Sequence, residues 1–462
     1  MGPDEHMSDF EALMWNLEKD PRLSSNIANM SILDRAPDME RLRETMERAS
    51  IVFPRLRQRV APVFGRLAPP KWEIDPNFDL DHHLKHISLG GRGSRAELYR
   101  LATSLFMDPF DRTRPLWEFV VIEGLRGGKA AMVQRLHHTI TDGQGGLRLS
   151  LEFIDFTRDA PQREPVAADP VEHADGSVLG SVTDAVTHVA RRQFGVARRT
   201  VDATIDAVVH PATIVENGNA AFEMARSTLR QAQVGDAPMS PLWTERSLSR
   251  SFATLDVPLA SAIAAAKRHE VSVNDVFVAG ATIAAADYHR QMGAPAHGLR
   301  MAMPISRRAD RAIGGNLFSP SQSIVPTDER PPFEVLADIH RILDRTKAEP
   351  AVGAANALAG FINLLPTSMV TRTGYRFAGT IDFVTSNLRA APMDTFIAGA
   401  LMESNYPMGP LAGAAFNITT MSFRGNLNMG VVIDTAAIAE PDRLVSCLKS
   451  AYKRLVAAPN RS

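Results

Sequence analysis

The stretch from Ala130 to Leu151 constrains this chain more than any other. An apolar run stops at two adjacent histidines, crosses a polar loop and enters a helix. The junction reads His137-His138-Thr139-Ile140-Thr141-Asp142-Gly143, an H-H-x-x-x-D-G string. Neighbouring side chains on extended backbone point to opposite sides. The two histidines therefore have different tasks, one facing a substrate and one packing behind it. The same divergence argues against a shared zinc ion. A neutral imidazole can take a proton from an alcohol while the alcohol attacks a thioester, without a covalent enzyme intermediate. Asp142 admits two readings: a triad carboxylate that orients the base, or a structural acid that pairs with a buried arginine and fixes the loop. The second is preferred. Gly143 permits close approach of backbone to a ligand and an unusual turn before the helix.

Competing chemistries are poorly represented. The chain has no G-x-S-x-G elbow, Walker A loop, G-x-G-x-x-G or H-E-x-x-H string. A second pair, His82-His83, lacks an Asp-Gly at the right spacing and carries no catalytic weight. Cys447 falls in a C-terminal helical pattern, where a packed thiol is expected rather than a nucleophile.

A length of 462 residues implies two domains or two large lobes. In the first lobe, Met39, Leu42, Met46 and Ala49 fall at helical spacing, and residues 95–106 predict another helix. Phe119 to Glu123 and Ala130 to His137 predict strands around the turn Arg126-Gly127-Gly128. The helix after the histidines would bury Leu147, Leu151 and Ile154. The first lobe ends near residue 158. A linker and helical connection fills 159–248, with basic pairs at Arg191-Arg192 and Arg198-Arg199 that face solvent or lipid headgroups. In the second lobe, 249–462, Leu259, Ile263 and Ala266 mark a helix. Ser272 to Asp275 forms a capping box, and Phe416 to Phe423 and Leu427 to Ile433 flank a hairpin turn at Arg424-Gly425-Asn426. Mixed helices and strands in both halves give an α/β (α+β) fold.

A net charge of −1 supplies no global field for nucleic acid. One cysteine fits a reducing compartment. Met1 to Phe10 is acidic where a secretory leader would be basic and then apolar, so the cytoplasm is expected. Ala351 to Val370 carries no charge and is long enough to span a bilayer, but Asn356, Asn363 and Pro366 favour a buried or amphipathic helix. Contact with a membrane surface stays open.

The histidine string resembles the active-site motif of the coenzyme A-dependent acyltransferase superfamily, which includes chloramphenicol acetyltransferase and the peptide-synthetase condensation domains. Further segments narrow the likeness to the bacterial wax ester synthase and diacylglycerol acyltransferase family, in particular its mycobacterial triacylglycerol synthase branch. These are Pro70-Lys71-Trp72 with Asp75 and Phe78-Asp79, then Asp111 to Glu118 (D-R-T-R-P-L-W-E), and Val273-Asn274-Asp275-Val276. The resemblance runs from about Ser8 to Leu455.

It implies two chloramphenicol-acetyltransferase-like lobes around a central substrate tunnel. It makes His138 the general base, with His137 shaping the pocket and Asp142 holding the loop. Pro115, Leu116 and Trp117 match a segment implicated in acyl-group handling or in the fold around it; packing at a strand edge explains them equally well. Asn274 and Asp275 match a motif near the catalytic centre, although helix capping alone would account for them. Ser386 and Asn387 match the start of the family's S-N-V-P-G-P, but Leu388-Arg389-Ala390-Ala391 departs from it. Arg389 should face a tunnel mouth, a carboxylate or a ligand phosphate, or else solvent.

The expected reaction moves a long-chain acyl group from acyl-CoA, bound as a substrate with no permanent cofactor, to diacylglycerol. A fatty alcohol is the alternative acceptor, and a lipid-binding protein with little turnover is the alternative class. Residence in the cytoplasm, partly peripheral to the inner membrane or lipid droplets, accompanies that reading.

Overall fold

A computed structural model of the chain describes residues 6–61, 69–141, 143–164, 166, 237–306, 318–348, 359, 362, 363, 365–390 and 392–457. The first sheet is organised by two strands, β5 (Trp117–Glu123) and β6 (Ala130–His137), in which every residue but Glu123 is buried. Strands buried on both faces need cover on both sides. One face packs against α2 (Met39–Val52), through Leu42 and Met46. The other packs against α4 (Arg95–Met107), through Leu98, Ala102 and Phe106, and also receives Phe252 and Val432 from the second half of the chain.

The sheet is completed from both halves. Its order is β4 (Leu84–Ser88), β5, β6, β1 (Asn26–Leu33), β13 (Ala400–Met408), β12 (Phe396–Ile397), β7 (Ile154–Asp155). β1 is antiparallel to both neighbours, with Asn26 opposite His137 on one side and Met30 opposite Tyr406 on the other. Residues 396–408 therefore belong to the sheet that carries the histidine pair.

The second sheet runs β10 (Phe318–Pro326), β9 (Gly298–Ser306), β11 (Phe383–Arg389), β14 (Phe416–Phe423), β15 (Asn426–Asp434), β8 (Arg250–Pro258). Its core face is covered by α6 (Leu259–Arg268), α7 (Val273–Gln291), α8 (Pro332–Ala348) and α10 (Pro441–Ala457). Arg424 and Gly425 make the two-residue turn between β14 and β15 with φ of 43° and 77°. Positive φ at both positions matches the twist of the flanking strands, and glycine adopts it without strain. The sheets meet where β13 crosses β15. A Cβ at Gly430 would lie 1.8 Å from the Pro407 carbonyl oxygen, so only glycine fits the crossing. Beside it, the Asn405 N–H donates to Asn428 Oδ1 at 3.1 Å, and the Tyr406 hydroxyl donates to Asp256 Oδ2 at 3.0 Å.

Most expected elements are present, with three differences. Helix α5 (Gly143–Leu151) buries Leu149 and leaves Leu151 54% exposed, while Ile154 lies beyond it in β7. Two residues of helix are about 200° of rotation, so the buried face is opposite the expected one. In α6, Ala262, Ala265 and Ala266 are buried and Ile263 sits at the exposed edge, because alanines let this helix lie close to the sheet. Pro366 begins a helix, α9 (Thr367–Gly379), rather than interrupting one. Of the rest of Ala351 to Val370, Ala359 packs on Phe10 and Met14, and Asn363 Nδ2 donates to the Asp9 carbonyl at 2.7 Å. Among the described residues, no helix is long and apolar enough to cross a membrane. The basic pairs Arg191-Arg192 and Arg198-Arg199 lie outside the described residues.

Candidate active site

His137 ends β6 and His138 begins a turn closed by the Ile140 N–H donating to the His137 carbonyl at 2.9 Å. Both histidine amides are fixed. The His137 N–H donates to the Leu116 carbonyl at 2.9 Å, and the His138 N–H donates to the Ser25 carbonyl at 3.1 Å. The strand end is thus tied to β5 on one side and to the entry of β1 on the other.

The His137 ring is buried. Its Nδ1 accepts the Thr139 N–H at 3.2 Å and lies 2.6 Å from Thr139 Oγ1. That assigns the ring proton to Nε2, which lies 2.8 Å from Glu18 Oε2. Trp15 meets the ring edge-on at 6.0 Å between centroids. Glu18 caps the C-terminus of α1 (Asp9–Leu17). It also accepts from the Ser25 N–H, from Ser24 Oγ at 3.3 Å and from Arg112 at 3.2 Å. Arg112 in turn lies over the Trp15 ring, 4.0 Å from its centroid. Burial alone would raise the Glu18 carboxyl, but His137, the Ser25 N–H and Arg112 outweigh it and hold the group below its ordinary range. One histidine of the pair is therefore held from both ring nitrogens in the core. The next, His138, is partly buried at the corner of the turn.

The D-R-T-R-P-L-W-E string builds the support behind this pair. Pro115, Leu116 and Trp117 are all buried. Trp117 Nε1 donates to the Leu56 carbonyl at 2.8 Å, and its ring stacks on His83 at 4.6 Å. His83, sandwiched between Trp117 and Phe78, binds the Trp117 carbonyl through Nδ1 at 2.8 Å. Burial depresses its pKa to about 4, so it is a neutral core side chain. Glu118 takes the buried Arg135 and, from the other side, Lys85. Arg135 is thus paired with Glu118. Asp142, expected to pair with a buried arginine, lies outside the described residues, and Gly143 is described only as the first residue of α5.

The second sheet brings a different group together. Asn387 Nδ2, near the end of β11, donates to Asn274 Oδ1 at 3.1 Å at the start of α7. Asp275 closes the predicted capping box with Ser272, receiving its N–H at 2.8 Å, and meets His340 Nδ1 of α8 at 2.9 Å. Ser386 is half-buried opposite Thr419. Arg389 is exposed at the last position of β11, opposite Ser422, with no hydrogen bond or ion pair to the described residues. No carboxylate among the described residues pairs with it.

Glu18 and Thr139 complete the support of His137, and sequence reasoning did not single them out. Thr139 lies within the string, whereas Glu18 is a helix-terminal acid remote in sequence, with no local pattern to mark it. Arg112 was visible only as part of a family-like string.

Sequence profiles of two families match the chain: the wax ester synthase/diacylglycerol acyltransferase catalytic domain over residues 7–277, and the WS/DGAT C-terminal domain over residues 314–456. A Mycobacterium tuberculosis (strain H37Rv) protein named as a diacylglycerol O-acyltransferase is 31% identical over 467 residues, covering 98% of this chain and 92% of its own. Another protein so named from that strain is 28% identical, covering 93% and 92%. Among solved structures, a wax ester synthase/diacylglycerol acyltransferase from Marinobacter aquaeolei VT8 superposes with a TM-score of 0.64 at 21% identity, covering 97% of this chain and 98% of its own. A starter condensation domain of rhizomide synthetase, solved with C8-CoA and Leu-SNAC, gives 0.61 at 12% identity, covering 98% and 94%. At these identities, the structural likenesses establish a shared fold.

Proposed function

Because the chain belongs to the wax ester synthase/diacylglycerol acyltransferase family, we propose that it transfers a long-chain acyl group from acyl-CoA to the free hydroxyl of diacylglycerol, with His138 as general base. The His138 imidazole takes the hydroxyl proton as the oxygen attacks the thioester carbonyl. The tetrahedral intermediate collapses, the C–S bond breaks, and the imidazolium returns its proton to the departing thiolate. Triacylglycerol and free CoA are the products, and no acyl-enzyme forms.

One arrangement carries the assignment. His137 is engaged through both ring nitrogens by Thr139 and Glu18, so the proton-transfer role falls to the partly buried His138. In this reading Asp142 holds the loop and Gly143 lets backbone approach the substrate. Pro115, Leu116 and Trp117 back the site, while Asn274, Asp275, Ser386 and Asn387 shape its far wall. The reacting groups meet between two lobes, one formed by residues 1–158 together with strands 396–408 and the other by the rest of residues 249–462. The donor is a cytosolic metabolite and the acceptor is lipid-soluble, so the protein works in the cytoplasm and touches the surface of a membrane or lipid droplet.

The test is turnover of purified protein with palmitoyl-CoA and a panel of acceptors, following thiol release and the lipid product. Triacylglycerol from diacylglycerol is expected. Wax ester from hexadecanol as the dominant product would reassign the acceptor. No thiol release with any acceptor would reduce the chain to a lipid-binding relative of the family.

A further inference from the structure

Helix α9 has an inner face that belongs to the core and an outer face unlike most protein surface. Inside, Val370 and Ala378 are buried and Gly374 packs on Leu17 of α1. Outside, Leu365 just before the helix, Met369 and Phe377 are 45%, 54% and 39% exposed. At 100° per residue Met369 and the exposed Arg372 and Arg376 lie within about 60° of one another, with Phe377 on the flank toward Val370. No acidic residue occurs between Glu349 and Asp382. Apolar side chains flanked by cations, without acids, suit the boundary between phosphate headgroups and acyl chains.

A shallow, open depression of about 620 Å³ lies on another flank of α9, where Thr371 meets Lys19, Asp20, Arg22, Arg246 and Leu248. Arg22 joins the two features, since its guanidinium lies 3.7 Å over the Tyr375 ring of α9. Among the described lining residues the one carboxylate, Asp20, is paired with Arg22 at 2.7 Å. The Arg246 donors meet carbonyl oxygens of Trp243, Glu245, Gly379, Ile381 and Gly413, so no carboxylate touches that cation. Lys19 and Arg22 thus place further cations near α9, on the flank that carries Tyr375 and Thr371.

We propose that the outer face of α9 is the docking surface for an anionic phospholipid membrane. Met369, Phe377 and Leu365 enter the headgroup boundary, and Arg372, Arg376 and Lys19 pair with lipid phosphates. The assignment rests on the lipid-acceptor reading for its purpose, and its test is separate.

The full chain is floated with phosphatidylcholine vesicles and with phosphatidylcholine–phosphatidylglycerol vesicles at low and high salt. Binding should favour the anionic vesicles at least tenfold and weaken as salt screens it. Neutralising Arg372 and Arg376 to Gln together should lower binding by about 25-fold, roughly fivefold for each cation lost. Met369→Glu with Phe377→Glu should lower it by at least about tenfold. Ile324→Glu, at an exposed apolar position on β10, should leave it unchanged. Circular dichroism establishes that each variant is folded. The proposal is overturned if wild type ignores the vesicles, if folded α9 variants bind as wild type does, or if Ile324→Glu weakens binding equally. Concentration-dependent self-association that disappears in the α9 variants, without vesicle binding, would give the face to a second copy instead. Thiol release by wild type is read in parallel: turnover without vesicle binding removes only the docking surface, and vesicle binding without turnover removes only the acyltransfer reading.

Discussion

Replacing Glu18 with Gln tests whether the buried support of His137 matters as much as the geometry implies. The substitution keeps the shape and removes the charge. One carboxylate oxygen faces the Ser25 N–H and Ser24 Oγ, and the other faces His137 Nε2 and Arg112. Each of these partners donates to the carboxylate, and an amide offers one acceptor and one further donor group. Whichever way Gln turns, its NH₂ meets N–H groups, so a buried donor is left unmet at about 1–3 kcal/mol. His137 cannot relieve the clash by changing tautomer, because the Thr139 N–H already occupies Nδ1. Lost attraction to Arg112 adds to this, giving about 2–4 kcal/mol at neutral pH, below the 3–5 kcal/mol of removing one partner of a buried pair outright. A small displacement of the adjacent His138 should also lower kcat, by as much as about 10²-fold. The pH dependence follows from the sign of the shift. The Glu18 pKa is lowered on folding from an ordinary value of 4.5, so its stabilisation is complete above that value and is lost as pH falls through the folded pKa. Urea denaturation at pH 7 and at successively lower pH, with kcat at pH 7, measures both effects. A variant with the wild-type midpoint and kcat, or a stability gap that does not narrow in acid, would refute the reasoning.

Three further outcomes are expected. His138→Ala should reduce turnover by about 10²–10⁴-fold while leaving the urea midpoint close to wild type; near-normal turnover in folded protein would remove the general-base assignment. Gly430→Ala places a Cβ against the Pro407 carbonyl oxygen and should cost about 1–3 kcal/mol or more in urea denaturation, unless the two sheets separate at that crossing without strain. Restoring the family's turn at residues 388–391 should change the ratio of diacylglycerol to hexadecanol turnover more than the KM for acyl-CoA, and an unchanged ratio would place acceptor choice elsewhere.

Local patterns in the sequence carried those parts of the fold that are locally determined. The Arg424-Gly425 turn, the Ser272–Asp275 cap and the buried strands on either side of Arg126-Gly127-Gly128 are each set by neighbouring residues, and each is present. The face of α5 was misjudged because Leu147, Leu149 and Leu151 offer two opposite apolar sides, and only packing against the first core selects Leu149. The passage of residues 396–408 into the first sheet was invisible for another reason. A strand's alternation reports that a neighbour exists without saying which. The same limit hid Glu18, whose significance arises only when α1 folds back beside the end of β6.

The supporting network changes the meaning of the Asp111 to Glu118 string. Arg112 reaches Glu18, the Leu116 carbonyl holds the His137 amide, Trp117 packs on His83, and Glu118 holds Arg135 and Lys85. Each contact is to protein and each bears on the position or rigidity of the histidine strand. A base held this way is indifferent to which alcohol it deprotonates, so discrimination between acceptors has to come from walls that the string does not build. The Asn274–Asn387 bond joins α7 to β11, and in the function proposed above that junction is one such wall. Two residues further along β11, Arg389 stands in solvent without a partner among the described residues. Hydration already satisfies that charge, so burial penalties do not dictate its conformation. On the proposed reading, Arg389 acts on acceptor choice electrostatically, and raising the ionic strength should weaken that effect while leaving selection by pocket shape intact.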